Sequence, residues 1–414
     1  MMKKCLLLIS FVLIVVLTTT FLSGCSSRSD NSRVHIVIWH QMRPDEREVL
    51  QSQLNEFQRL HPDVEVEAIY KETEELRSGY IIAAYAHQGP DLVYGPSDAV
   101  GLYAAVDVIQ PMESLFDSSY LASFNQRGLI WSNGHLYQLA DKLGNHLMLV
   151  YNKKLVTTPP RTTDEMIAIG QRLTKKTAQG EDYGLVWNYT EPFFFIPFLT
   201  GFGGWVMDSA GNPTLDTPAM VQALQFIHDL RDRYGIVPRE CSYEVADALF
   251  KDGRAGMIIN GDWSWAGYGK AAIDYGVAVL PKVSQTGLYC APMISAKGYS
   301  INVNVDREKM PYVVELLRFL MEPSVQLKTT KALLTFPTRM ELYSDPFIQS
   351  NDVLRASMKE IEIGKPMPIV PEMRAIWDAM RPNYQSVLNN TKSPEQAAHD
   401  MQALAIQKIA EMNE

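Results

Sequence analysis

Residues 34–94 alternate short β-branched runs with amphipathic segments, and that alternation constrains the fold more than any other feature of this 414-residue chain. Val34-His-Ile-Val-Ile-Trp39 reads as a strand, alternating and free of Gly or Pro. From Pro44 to Leu60, the spacing of Leu50, Leu54 and Phe57 puts three apolar side chains on one helical face. Val64, Val66 and Ala68 begin a second strand, a helix follows around Leu76 to Ala86, and Gly89-Pro90-Asp91-Leu92-Val93-Tyr94 carries a third strand. A β-α-β-α-β opening with short connections starts a doubly wound sheet. Ligands in such sheets sit beyond the carboxyl ends of the strands, which makes His40, Gln41 and Arg43, then Gly95 to Asp98, candidate binding residues.

The alternation continues. Asp141-Lys142-Leu143-Gly144-Asn145 lies within a mixed run from Tyr137 to Tyr151, where the chain can leave one lobe and enter another. Thr162-Thr163-Asp164-Glu165 is a capping box ahead of a helix carrying Met166, Ile169 and Leu173. Thr217-Pro218 opens another helix, with Val221, Leu224 and Ile227 inside and Gly235 as its stop. Met257-Ile258-Ile259 forms a buried strand delivering Asn260-Gly261-Asp262-Trp263-Ser264-Trp265 at its carboxyl end. Further strands are expected at Gly276 to Leu280 and Tyr299 to Asn304, then a helix packing Val313, Leu316, Leu317 and Leu320, and a last helix opening at Ser393-Pro394.

The amino terminus reads as an export signal. Two lysines precede an apolar run to Leu22, and Leu22-Ser23-Gly24-Cys25 follows. This ending resembles the lipobox of bacterial lipoproteins, which implies cleavage after Gly24 and a lipid anchor on Cys25. An uncleaved transmembrane anchor is the competing reading, because residues 5–22 barely span a bilayer; the tetrapeptide favours the lipoprotein. Residues 25–33 are polar and read as a flexible tether. The rest exceeds what one core usually serves, so two lobes are expected: 34–144 plus 295–337, and 145–294 plus 338–414. A net charge of −9 without a basic patch argues against nucleic acid. Once Cys5 leaves with the signal and Cys25 is lipidated, Cys241 and Cys290 remain, as a disulfide or as two free thiols.

The usual catalytic and cofactor motifs are absent: there is no G-x-S-x-G, H-E-x-x-H, C-x-x-C or phosphate loop, and no metal-ligand cluster. Gly201-Phe202-Gly203-Gly204 reads as a tight turn. Aromatic residues instead alternate with polar ones at Trp39-His40, Trp187-Asn188-Tyr189, Glu191-Pro192-Phe193-Phe194-Phe195, Trp263-Ser264-Trp265 and Trp377-Asp378. Pyranose rings offer apolar faces that stack on aromatic rings and hydroxyls that need carboxylates, amides or guanidinium groups, so the interleaving suits a sugar cleft. Core packing is the other reading of each aromatic residue; it is preferred for Phe194 and Phe195, the site for Trp263 and Trp377, each taken to start an element beside a charge.

Phe250-Lys-Asp-Gly253-Arg254-Ala255-Gly-Met257-Ile-Ile-Asn-Gly261-Asp-Trp263 resembles the F-x-x-G-(K/R)-A-x-M-x-x-x-G-x-W signature of solute-binding proteins of sugar ABC transporters. Gly89-Pro90-Asp91, Asn133-Gly134, Tyr151-Asn152-Lys153, Tyr275 to Pro281 and Pro368-Ile-Val-Pro371 support the resemblance, whose order is closest to the maltodextrin-binding branch. It implies a type II periplasmic-binding-protein fold of two doubly wound α/β lobes joined by a hinge. The implied function is reversible capture of sugar for a membrane permease by a monomer without cofactor. By resemblance, Glu191, Trp263, Trp377, Arg381 and Asp98 are ligand contacts; Asn145 stands where the branch has a glutamate, and Phe193 where it has a tyrosine. Gly95 replaces a tryptophan, Ala99 an arginine and Asp378 a tyrosine, and His40-Gln41-Met42-Arg43 replaces the branch's own turn. These departures point to a mono-, di- or short oligosaccharide, with Asp141, Asp378, Arg43 and Lys142 reshaping the polar half, although Asp141 and Lys142 read equally as a hinge ion pair. A surface-anchored carbohydrate hydrolase and a ligand-sensing partner of a receptor are the alternatives.

Overall fold

The computed structural model describes residues 33–178 and 180–412; the export signal, Cys25 and all of the tether but Arg33 lie outside them. The chain builds one sheet from β1 (Val34–His40), β2 (Val64–Tyr70), β3 (Leu92–Pro96), β4 (Leu129–Ser132) and β5 (His135–Gly144). It then builds a second from β6 (Leu147–Asn152), β7 (Lys175–Thr177), β8 (Gly180–Val186), β9 (Ala255–Gly261) and β10 (Tyr275–Ala278). It returns to the first with β11 (Met293–Ile301), β12 (Phe336–Pro337) and β13 (Lys365–Pro366).

The first sheet has the order β12-β5-β11-β3-β1-β2, with β4 on β5 and β13 on β11. β1 lies parallel to β2, Val34 opposite Val64, and to β3, Ile38 opposite Leu92. The returning β11 enters between β3 and β5 antiparallel to both, so the sheet is wound as expected only in its β1 to β3 half. The second sheet runs β10-β6-β9-β8-β7, with β8 and β9 parallel and β6 antiparallel to β9. Two α/β lobes result.

Each lobe closes on its own core. In the first, Ile36 and Ile38 of β1 meet Leu50, Leu54 and Phe57 of the Pro44–Leu60 helix, all at most 2 % exposed. That helix starts where it does because Pro44 needs no amide partner and the Glu46 carboxylate accepts from the Arg43 amide at 2.9 Å. In the second, β9 is buried along its whole length, and Leu224 and Ile227 of the Pro218–Asp232 helix pack with it. Each such side chain contributes about 1.5–3 kcal/mol on burial. The Glu372–Leu388 helix follows a strand of the first sheet yet packs Met373, Ile376, Met380 and Tyr384 into the second core. Leu342, Ile348 and Leu354 pack in a core cluster with Val93 and Leu143 of the first sheet, so part of the segment after residue 338, expected in the second lobe, stays with the first.

The chain crosses between sheets at Gly144-Asn145-His146. Gly144 has φ 115° and Asn145 φ 37°, and a Cβ on Gly144 would come 2.5 Å from His146 Nδ1. Glycine and asparagine are the residues that accept such a left-handed kink. Cys241 and Cys290 are buried free thiols.

Candidate functional site

A cavity of about 370 Å³ lies between the lobes, open to solvent on one side. The first lobe contributes Gln41 and Arg43 after β1, Glu72 and Thr73 at the start of the Thr73–Tyr85 helix, Arg77 one turn on, and Pro96 and Asp98 after β3. Glu46, in the first turn of the Pro44–Leu60 helix, Asn145 at the crossing and Lys297 on β11 also contribute. The second lobe adds Asn188, Thr190, Glu191, Phe193, Phe194, Tyr243, Glu244, Trp263, Met367 and Trp377.

Trp263 follows β9 directly, and the strand end aims it. Its indole nitrogen donates to the Tyr243 hydroxyl at 3.1 Å; Phe193 and Phe194 lie with ring centroids 6.3 and 6.4 Å away. The Lys297 ammonium stands 4.9 Å from the ring centroid, and the Arg43 guanidinium 3.9 Å from that of Tyr243. Trp377 reaches the cavity from the second turn of its helix, not from an element's start, and is only 4 % exposed. One wall is therefore aromatic, with cations at its edge.

The rest of the lining is largely ionic and comes from both lobes. Arg77 donates to Asp98 Oδ2 at 2.6 Å, and Asp98 Oδ1, though buried, has no hydrogen-bond partner among the described residues. A buried carboxylate oxygen without a donor is costly, and a ligand hydroxyl entering the cavity would satisfy it. Glu191 Oε2 accepts from Arg381 at 3.1 Å; burial pushes its carboxyl up, with Arg381 opposing. Beneath, Lys142 donates to Glu46 at 2.5 Å and Lys297 lies 3.7 Å from the same carboxylate. Burial would raise Glu46, but the two ammonium groups outweigh it and hold the carboxyl down at about 2. Asp262, at 3 % exposure just past β9, is pushed up by burial to about 6 against the pull of Lys297 and Lys142.

Of the residues expected at the site, the cavity brings together Gln41, Arg43, Asp98, Asn145, Glu191, Phe193, Trp263 and Trp377. The others lie elsewhere. His40 is still in β1, on the same buried face as Ile36 and Ile38, so its ring turns away from Gln41. Trp265 begins the Trp265–Lys270 helix and is wholly buried beside His146. Asp141 accepts from the Tyr94 hydroxyl at 3.0 Å, and Lys142 is committed to Glu46 rather than to Asp141. Asp378 and Arg381 stand behind the wall: Asp378 pairs with Arg374 at 3.2 Å, and Arg381 with Glu191 and Glu74, each at 3.1 Å. Phe195 is core as expected; Phe194 is core too, 4 % exposed, and also reaches the cavity lining. Glu46, Glu72, Arg77, Tyr243 and Lys297 were not expected there; only Asn188, beside Trp187 and Tyr189, carried the aromatic-polar signal.

Comparison with known proteins gives a consistent set of likenesses. Residues 52–356 match the family described as bacterial extracellular solute-binding protein. The maltose/maltodextrin-binding domain MalE from Bdellovibrio bacteriovorus, solved bound to maltotriose, is 42 % identical, with a TM-score of 0.89 over 91 % of this chain and 100 % of that one. The maltotriose-binding protein of Pyrococcus abyssi is 27 % identical over 86 % of this chain and 78 % of its own. The galactooligosaccharide-binding protein of Bacillus subtilis is 25 % identical over 96 % and 95 %.

Proposed function

Since the chain belongs to the bacterial extracellular solute-binding protein family, we propose that it captures a short maltooligosaccharide and delivers it to an ABC transporter permease. The observation that carries this reading is the pairing, across one cavity, of the Trp263 and Phe193 rings with the unpartnered Asp98 oxygen. Sugar faces stack on the rings, and hydroxyls donate to Asp98 and Glu191. The likeness to a domain solved with maltotriose supports the choice of sugar. Asn145, Gln41 and Arg43 complete the polar contacts, while Arg381 acts behind Glu191. The export-signal pattern and the lipobox-like ending at Cys25 support an extracytoplasmic, lipid-anchored monomer that presents its cleft to the permease. Binding to one lobe followed by closure of the other would give the permease its cue.

Titration of tryptophan fluorescence with maltose, maltotriose and a galactooligosaccharide tests this. Saturable, stoichiometric binding of maltotriose is expected, weakened at least tenfold, about 1.4 kcal/mol, in Trp263→Ala. Equal affinity in parent and variant would remove the site. Prolonged incubation tests the hydrolase alternative: released products at catalytic protein concentration would replace capture by turnover.

A further inference from the structure

We infer that Glu74 is the positioning residue that couples lobe closure to ligand affinity, an inference that rests on the saccharide-capture reading above. Glu74 lies in the first turn of the Thr73–Tyr85 helix and does not line the cavity. Its carboxylate holds two guanidinium groups from the Glu372–Leu388 helix, which packs in the other lobe: Oε2 accepts from Arg374 at 2.5 Å and Oε1 from Arg381 at 3.1 Å. Arg77, one turn on in Glu74's own helix, lies 3.1 Å from Oε1 and reaches on to Asp98. Arg381 reaches on to Glu191. The alternating series Asp98, Arg77, Glu74, Arg381, Glu191 therefore runs from one wall carboxylate to the other, and its cross-lobe step is Glu74.

Two consequences follow from where this series sits. Parting the lobes must pull Arg374 and Arg381 away from Glu74, leaving them Asp378 and Glu191 on their own side, so these contacts favour the closed state selectively. The side chains of Glu74, Arg374 and Arg381 are 28 %, 28 % and 23 % exposed, so salt reaches them. An uncharged sugar has no Coulombic attraction of its own to screen, so its affinity should nevertheless fall with ionic strength, and Glu74 should carry a part of that fall distinct from the cross-lobe pairs of Lys270 with Asp45 and Glu48.

The test is maltotriose affinity by calorimetry between about 0.01 M and about 1 M sodium chloride, over which the screening length drops from about 30 Å to about 3 Å. The parent is expected to weaken by about five- to tenfold, within the ordinary range of coupling between sites. Glu74→Gln and Arg374→Gln, checked for native melting, should start weaker at low salt and show a shallower slope than the parent, the remainder belonging to pairs such as Lys270 with Asp45 and Glu48; Glu74→Asp should recover part of it. A purely structural role would shift affinity and leave the parent's slope intact. A parent slope within twofold of flat, or an unchanged slope in both variants, would overturn the inference. If the parent binds no sugar, the capture reading fails instead, and small-angle scattering of the free protein still decides: Glu74→Gln should expand it at low salt, and equal radii would end the proposal.

Discussion

Gly261 lies directly against the Trp263 ring: a Cβ built on Gly261 would come 2.2 Å from two ring carbons. No real Cβ packs so closely, so the glycine is what lets the indole fold back over the end of β9 toward Tyr243. Gly261→Ala should therefore displace the ring. We expect a folded protein, destabilised by about 1–3 kcal/mol as in other overpacked sites, with weaker maltotriose binding and a smaller fluorescence change. Melting and titration of the same sample check both, and parent-like binding would separate the ring's position from recognition.

Asp98 offers a buried oxygen without a partner, its other oxygen being committed to Arg77. A hydroxyl bonded to a charged group contributes about 1.5–3 kcal/mol. Asp98→Ala should thus weaken maltotriose binding by about 10- to 100-fold in calorimetry. An unchanged dissociation constant would show that no ligand hydroxyl bonds there.

Much of this site was legible because strand ends and motif spacing locate backbone. Gln41, Asp98 and Trp263 each follow a strand of a doubly wound region, and a loop residue beyond a strand end faces the cleft almost by construction. Strand residues obey a stricter rule. His40 is one position before Gln41, but period-two alternation sends its side chain to the buried face with Ile38. Trp265 fails for a similar reason: two residues after Trp263 the chain is already helical, and the first turn points inward. Residues such as Arg77 and Lys297 carry no local signal at all. Arg77 reaches the cavity because its helix lies beside the end of β3, and Lys297 because β11 returns from about 200 residues later to pair with β3. The first-sheet location of Leu342 and Leu354 was hidden in the same way, since it depends on which core the chain meets after β12.

Cys241 and Cys290, which spacing left open as a disulfide, are free and buried. Burial pushes the Cys241 thiol up to about 12, and Cys290 higher still. Both should be inert to a thiol reagent in the native protein and react once it is denatured, in a soluble form beginning at residue 33. Reaction of either at native conditions, or of neither after denaturation without reductant, would contradict this arrangement.

Asp262 makes stability depend on pH in a window set by its surroundings. Burial raises it from 3.8 to about 6, while Lys297 and Lys142 pull the other way. Between those two values the folded protein holds a proton on Asp262 that the unfolded chain has lost, so rising pH favours unfolding there. The contribution is fully present below the unfolded value and is lost as pH climbs through about 6. Asp262→Asn has no proton to lose, so the parent's melting temperature should fall relative to the variant's across that interval and run parallel to it on either side. Subtracting the two curves removes titrations they share, including that of His146, which burial holds down at about 3. A constant difference throughout would mean that Asp262 titrates as it does in the unfolded chain, and that the lysines beneath the cavity offset its burial completely.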